Sequence, residues 1–395
     1  MSITIIITIC TLLLIAYLFD LTSAKTRIPS VILLIFLGWI LNQVIKFFGV
    51  IIPNISEILP ILGTVGLILI VFEGSLELEL NKSKIGLVKK ASIVALLPMI
   101  VLSVGFGYVF HLYSGSSFKN GLANAIPIFV ISSAIAIPSV RNLGNTEREF
   151  VTYESSLSDI FGVIFFNFIT LNDNIGTSSI GVFTLQLFII LLISFVASMG
   201  LSYILSHLKH QIKFGPIILL VVLIYAISKV FHLPSLIFIL LFGLFLGNLD
   251  ELKHVKLVQR LKPEILDKEV HKLQELTAEF AFIIRALFFL VFGYTMETSE
   301  VLNPETIFWA IAITCSIFII RYITLRFFKL SLNSVVYIAP RGLITILLFL
   351  SIPESQSIEL VNKSLIIQVI ILTAIVMMIG LITNPKSIEE QNTYN

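Results

Sequence analysis

Charge is scarce in this sequence. Only 13% of its 395 residues are Asp, Glu, Lys or Arg, against roughly 25% in an ordinary soluble domain. A soluble globule of this length needs far more polar surface, so that class is excluded. The 26 basic and 24 acidic residues leave a net charge of +2, which excludes nucleic-acid binding driven by bulk charge. Cysteine is nearly missing: Cys10 and Cys315 sit far apart in apolar runs, so there is neither a disulfide scaffold nor a Cys-rich metal site. The six histidines (111, 207, 210, 232, 254 and 271) all fall at the ends of apolar runs or between them. None is paired with carboxylates inside a run, so a metalloenzyme centre lacks its ligands. His207 and His210 share a helix face and read as an interfacial pair or a pH sensor. Walker and dinucleotide glycine motifs are absent, which removes ATP as the energy source.

Apolar residues fill the space instead: 57% of the chain is hydrophobic and mean hydropathy is +1.02. Runs of about 17–25 apolar residues match a hydrocarbon core roughly 30 Å thick. Thirteen such runs occur, at about 3–19, 31–48, 58–76, 86–112, 121–140, 152–172, 180–206, 214–231, 234–249, 277–296, 305–328, 335–352 and 364–383. The expectation is an all-α polytopic membrane protein with one transmembrane domain over 1–383 and the lipid bilayer as its solvent. MSITIIITIC carries no basic n-region, so the first run reads as a span rather than a signal peptide. With the N-terminus outside, nineteen Lys and Arg fall in inner loops and four in outer ones. The positive-inside bias therefore predicts N-out, C-in. The longest polar stretch, 250–276, has helical apolar spacing interrupted at Pro263 and reads as a cytoplasmic interfacial linker. The dozen residues of 384–395 read as a short cytoplasmic tail, too short for a nucleotide-binding domain.

Ionisable groups at bilayer depth are expensive and are functional suspects. Here they are Glu73, Asp159, Arg285, Arg321 and Arg341, with Glu154 near the inner end of the sixth span. That span reads YESSLSDIFGVIFFNF. Ser155 and Asp159 are i, i+4 neighbours with Gly162 beyond them, and Glu154 and Ser158 form the adjacent stripe. A carboxylate flanked by hydroxyls suits a hard cation. Burial penalises the bare carboxylate, so a proton can displace that ion. The alternative is a structural carboxylate balanced by an intramembrane arginine.

Two spans are poor helices. In the fifth, Pro127 and Pro138 bracket Ser132, Ser133, Ala134 and Ala136; the twelfth breaks at Pro340 and Gly342. Broken helices at corresponding places in two halves mark a transporter site near the midplane. The halves are expected at roughly 1–172 and 214–383, inserted in opposite senses as inverted repeats. Spans three and ten align weakly on Gly74 and Gly293.

At these residues the chain resembles the monovalent cation/proton antiporter superfamily, in particular bacterial sodium/proton exchangers. The likeness runs through IPSVILLIFLGWIL, VFEGSLELEL, ESSLSD, FFLVFG and PRGLITILLFL, in order along the chain. The resemblance implies thirteen spans with two broken crossing helices, no cofactor, a homodimer and a bacterial inner-membrane location. It implies that Asp159 binds the ion and the proton, that Ser155 is a ligand and that Glu154 supports them. Arg321 is implied to pair with Glu154, and Arg341 to compensate the partial charges of half-helix ends; both could instead snorkel to the headgroups. Ser158 stands where the family usually has Asn or Asp, and Ser132-Ser133 where sodium exchangers often have Thr-Asp. Arg285 lies near a lysine position of electrogenic relatives. It would neutralise Asp159 or balance Glu73 or Glu279.

The expected function is exchange of a monovalent cation (sodium first, potassium or lithium also open) for a proton by alternating access. The metal-binding group would be Asp159, with Ser155, Ser158, Glu154, Ser132 and Ser133 around it. No enzyme constellation is seen. The competing classes are a potassium-efflux transporter or channel and a sodium-coupled solute symporter on a similar scaffold.

Overall fold

The computed structural model describes residues 2–26, 28–49, 58–78, 83–140, 143–172, 177–207, 214–231, 233, 235–252, 263–330 and 334–384. Among the described residues there are helices and no strand. In chain order these are α1 (Ser2–Thr26), α2 (Ser30–Phe47), α3 (Ile58–Glu77), α4 (Ile85–Ser114), α5 (Phe118–Phe129), α6 (Ser133–Ser139), α7 (Asn145–Leu171), α8 (Thr177–His207), α9 (Phe214–Val230) and α10 (Ser235–Gly247). They continue with α11 (Leu249–Leu252), α12 (Pro263–Tyr294), α13 (Thr298–Val301), α14 (Pro304–Phe327), α15 (Leu343–Leu350) and α16 (Lys363–Thr383). A 3-10 turn, Ser334–Tyr337, precedes α15.

Among the described residues ten segments are long and apolar enough to cross a membrane, α5 and α6 counting together as one, and α9 and α10 are shorter apolar helices. Every apolar run of the sequence falls on a helical element. The boundaries shift where polar residues are helical too. Helix α7 begins at Asn145, and α12 begins at Pro263 and runs unbroken to Tyr294. Pro263 therefore starts a helix, where its missing N–H costs nothing, and residues 263–276 of the expected linker belong to the helix of span ten. Residues 253–262 and 385–395 lie outside the described residues, as does His210, so the expected His207–His210 pair is not placed.

The helices sort into two groups by what they touch. One comprises α4, α5, α6, α7, α14, the 3-10 turn, α15 and α16; the other α1, α2, α3, α8, α9, α10 and α12. Spans four to six and eleven to thirteen thus share one body, and the rest form a panel beside it. Within the panel α2 and α12 cross with their backbones nearly touching. A Cβ on Gly293 would overlap the carbonyl oxygen of Ile35, and one on Gly38 that of Leu290. Only glycine permits that approach, the packing mode that holds helices together in lipid. The two bodies meet where α3 touches α6, α7 and α15 and where α10 touches α7.

Candidate functional site

Two interrupted helices cross at the seam. Helix α5 stops at Phe129 and α6 resumes at Ser133; the 3-10 turn stops at Tyr337 and α15 begins at Leu343. A backbone hydrogen bond from the Ser132 amide to the Pro340 carbonyl, 2.9 Å long, ties the two gaps together. Breaking a helix orphans its terminal N–H and C=O groups, and at bilayer depth none can be left to water. Several of these orphans are met by named groups. The Ile131 amide donates to Ser158 Oγ at 2.9 Å. Arg341, 2% exposed, donates from Nε to the Ile128 carbonyl (2.8 Å) and from Nη1 to the Ala339 carbonyl (2.7 Å). Its own amide donates to Thr373 Oγ1 at 3.2 Å. The guanidinium thus lies against two carbonyl ends, whose partial negative charge suits a cation.

Arg321 of α14 performs the same service for the 3-10 turn. Its Nε donates to the carbonyls of Val335 (3.2 Å) and Val336 (3.1 Å), and Nη2 donates to Val335 again at 3.0 Å. The other side of the fork grips Glu154 of α7: Nη1 to Oε1 at 2.5 Å and Nη2 to Oε2 at 2.9 Å. The side chains are 3% and 1% exposed. This is a fully desolvated, bidentate ion pair.

Asp159 sits one turn further along α7, 4% exposed. Its Oδ2 accepts the Ser133 hydroxyl and, at 3.3 Å, the Ser133 amide. Its buried Oδ1 has no hydrogen-bond partner among the described residues. The carboxylate is held by one oxygen and open at the other.

Among the remaining expected site residues, Ser132 enters through its backbone. Ser155 donates its hydroxyl to the Val151 carbonyl at 2.8 Å, which leaves its lone pairs unspent. Arg285 is 9% exposed and, among the described residues, forms no hydrogen bond or ion pair. It therefore pairs with neither Asp159, Glu73 nor Glu279. Sequence reasoning missed Thr373 and the hydroxyl of Ser156, which is buried without a partner. Their types were visible, but only the fold shows which hydroxyls are engaged.

Two cavities flank the site. On the side of the Lys- and Arg-rich loops, about 690 Å³ is enclosed by walls that include Glu73, Gly74, Glu77, Ser133, Glu149, Asp267 and Arg285. On the opposite side a cavity of about 300 Å³ is bordered by Asn167, Tyr225 and Lys229 and approaches α7 no closer to Asp159 than Val163. Ser133, which holds Asp159, lines the first of these two cavities and not the second.

The fold has counterparts among solved structures. No curated protein matches the chain. Among solved structures, the sodium proton antiporter MjNhaP1 from Methanocaldococcus jannaschii at pH 8 superposes with a TM-score of 0.68 and 17% identity, covering 97% of this chain and 97% of that one. An electron-microscopy structure of MjNhaP1 gives 0.67 and 17%, over 97% and 95%. At that identity the likeness establishes the fold. The profile of a family described as "Sodium/hydrogen exchanger, transmembrane" matches residues 9–386, nearly the whole sequence. The chain belongs to the sodium/hydrogen exchanger family and is a multi-pass membrane transporter rather than an enzyme.

Proposed function

We propose that the protein exchanges one monovalent cation, sodium in first place, for one proton, with Asp159 carrying either but never both. The observation that carries this reading is the open Oδ1 of a buried carboxylate at the crossing of two interrupted helices. A hard cation needs oxygen ligands in such a place. Burial penalises the empty, ionised carboxylate, so only the loaded or protonated form should move across the bilayer.

The loop charges support thirteen crossings with the N-terminus outside, which makes the larger cavity cytoplasmic and the arrangement inward-facing. The division into two bodies, with spans four to six answering eleven to thirteen, supports an inverted repeat. It also supports alternating access by motion of that six-span body along its seam with the panel. Ser158 stands where electrogenic relatives carry a second acid, so one carboxylate serves, and exchange moves no net charge. A fluorescence-dequenching assay in everted vesicles, titrated with sodium, lithium and potassium, tests this. Asp159→Asn should abolish exchange; retained, pH-dependent cation flux in that variant removes the assignment.

A further inference from the structure

Two orphaned oxygens stand on one side of α7. Asp159 Oδ1 is the first; the second is the hydroxyl of Ser156, three residues earlier. Side chains at i and i+3 are neighbours on a helix surface, about 5–6 Å apart at Cβ. The residues are 4% and 9% exposed, and buried polar atoms nearly always have partners. The neighbouring serines follow that rule. Ser155 donates to the Val151 carbonyl and Ser158 accepts the Ile131 amide. Ser156 does neither. Its Oγ stands over the bare backbone of Gly74 on α3, where an added Cβ would lie 3.3 Å away. Gly74 lines the larger cavity, and so does Ser133, which binds the other oxygen of Asp159. Ser156 and Asp159 do not line the cavity themselves, but each rests against a residue that does.

We propose that Ser156 is a direct ligand of the transported cation, which enters past Gly74 and rests between Asp159 Oδ1 and Ser156 Oγ. A cation satisfies both orphans at once with lone pairs that neither needs elsewhere, as hard ions require. Protonating Asp159 releases it. The inference rests on the reading of Asp159 as the ion carrier and adds a ligand outside the stripe of Ser155 and Asp159.

The test uses full-length protein in proteoliposomes, with sodium-driven proton flux as one readout and sodium-free melting in detergent as the other. Ser156→Ala should raise the apparent KM for sodium about threefold or more, water replacing the lost oxygen in part, with the maximal rate little changed. Because the hydroxyl has no partner without the ion, sodium-free melting should stay level or rise. Ser156→Cys fills the same space with a soft sulfur that hard cations avoid and should also raise KM. An unchanged KM in both variants overturns the assignment, and so does a lowered sodium-free melting point with KM unmoved. If the unaltered protein shows no sodium-dependent proton flux, it is the antiporter reading that fails.

Discussion

Glu154 and Arg321 form an ion pair with almost no access to water, and removing Arg321 alone should be worse than removing both. Glu154→Gln leaves the guanidinium charge buried without its counter-ion, a loss of about 3–5 kcal/mol by analogy with other buried pairs. Arg321→Met leaves a bare carboxylate of the same cost. It also strips the donors from the carbonyls of Val335 and Val336, at about 1–3 kcal/mol each. The double variant Glu154→Met with Arg321→Met buries no charge and loses only those carbonyl bonds. The double variant loses about 2–6 kcal/mol on that count, near Glu154→Gln, so the expected order of melting temperature is unaltered protein, then Glu154→Gln and the double variant together, then Arg321→Met lowest. Thermal melts of detergent-solubilised protein, followed by size-exclusion chromatography, read that order directly. Because neither residue touches the open oxygen of Asp159, the double variant should retain exchange where it folds. The reasoning is refuted if both single variants melt with the unaltered protein. It is also refuted if the double variant loses the sum of the two, since coupled residues cannot behave additively.

Arg341→Lys should fail to replace arginine. A single ammonium cannot span the Ile128 and Ala339 carbonyls that Nε and Nη1 reach together, so a drop of about 1–3 kcal/mol is expected in the same melts. Cysteine labelling checks the sidedness: Cys10 and Cys315 are exposed and unbridged, so both are replaced first. Thr152→Cys, on the larger cavity, should then react with an impermeant maleimide from the cytoplasmic side, and Asn167→Cys, on the smaller, from outside. The reverse pattern overturns the orientation drawn from the loop charges.

Hydropathy makes this fold legible because the bilayer imposes a length on every crossing. The boundaries were less legible. The helices of spans six and ten run on into polar sequence, and nothing in an apolar count reports that. The fifth span shows the limit most clearly. Pro127 and Pro138 mark it as a poor helix, yet each lies within a helical half, and the gap falls between them, at 130–132. Proline weakens a helix locally. What fixes the break is partners from elsewhere: Ser158, 27 residues on, takes the Ile131 amide, and Arg341, 213 residues on, takes the Ile128 carbonyl.

The same distinction governs the site. Residue type and helical spacing point to Asp159 and its hydroxyl neighbours, and resemblance points to both arginines. Spacing cannot say which hydroxyl is anchored. Ser155, at i, i+4, is the natural companion of Asp159 and is fixed by its own helix with its lone pairs still free, whereas Ser156, at the less obvious i, i+3, has no partner among the described residues. Ser158, which departs from the usual Asn or Asp, caps the broken strand of backbone and holds the gap open. The two stripes of α7 thus divide the labour: Glu154 and Ser158 secure the broken helices, which frees Asp159 to leave one oxygen unsatisfied. A carboxylate in a fully bonded network would have no reason to exchange its ligand; one held by Ser133 alone does.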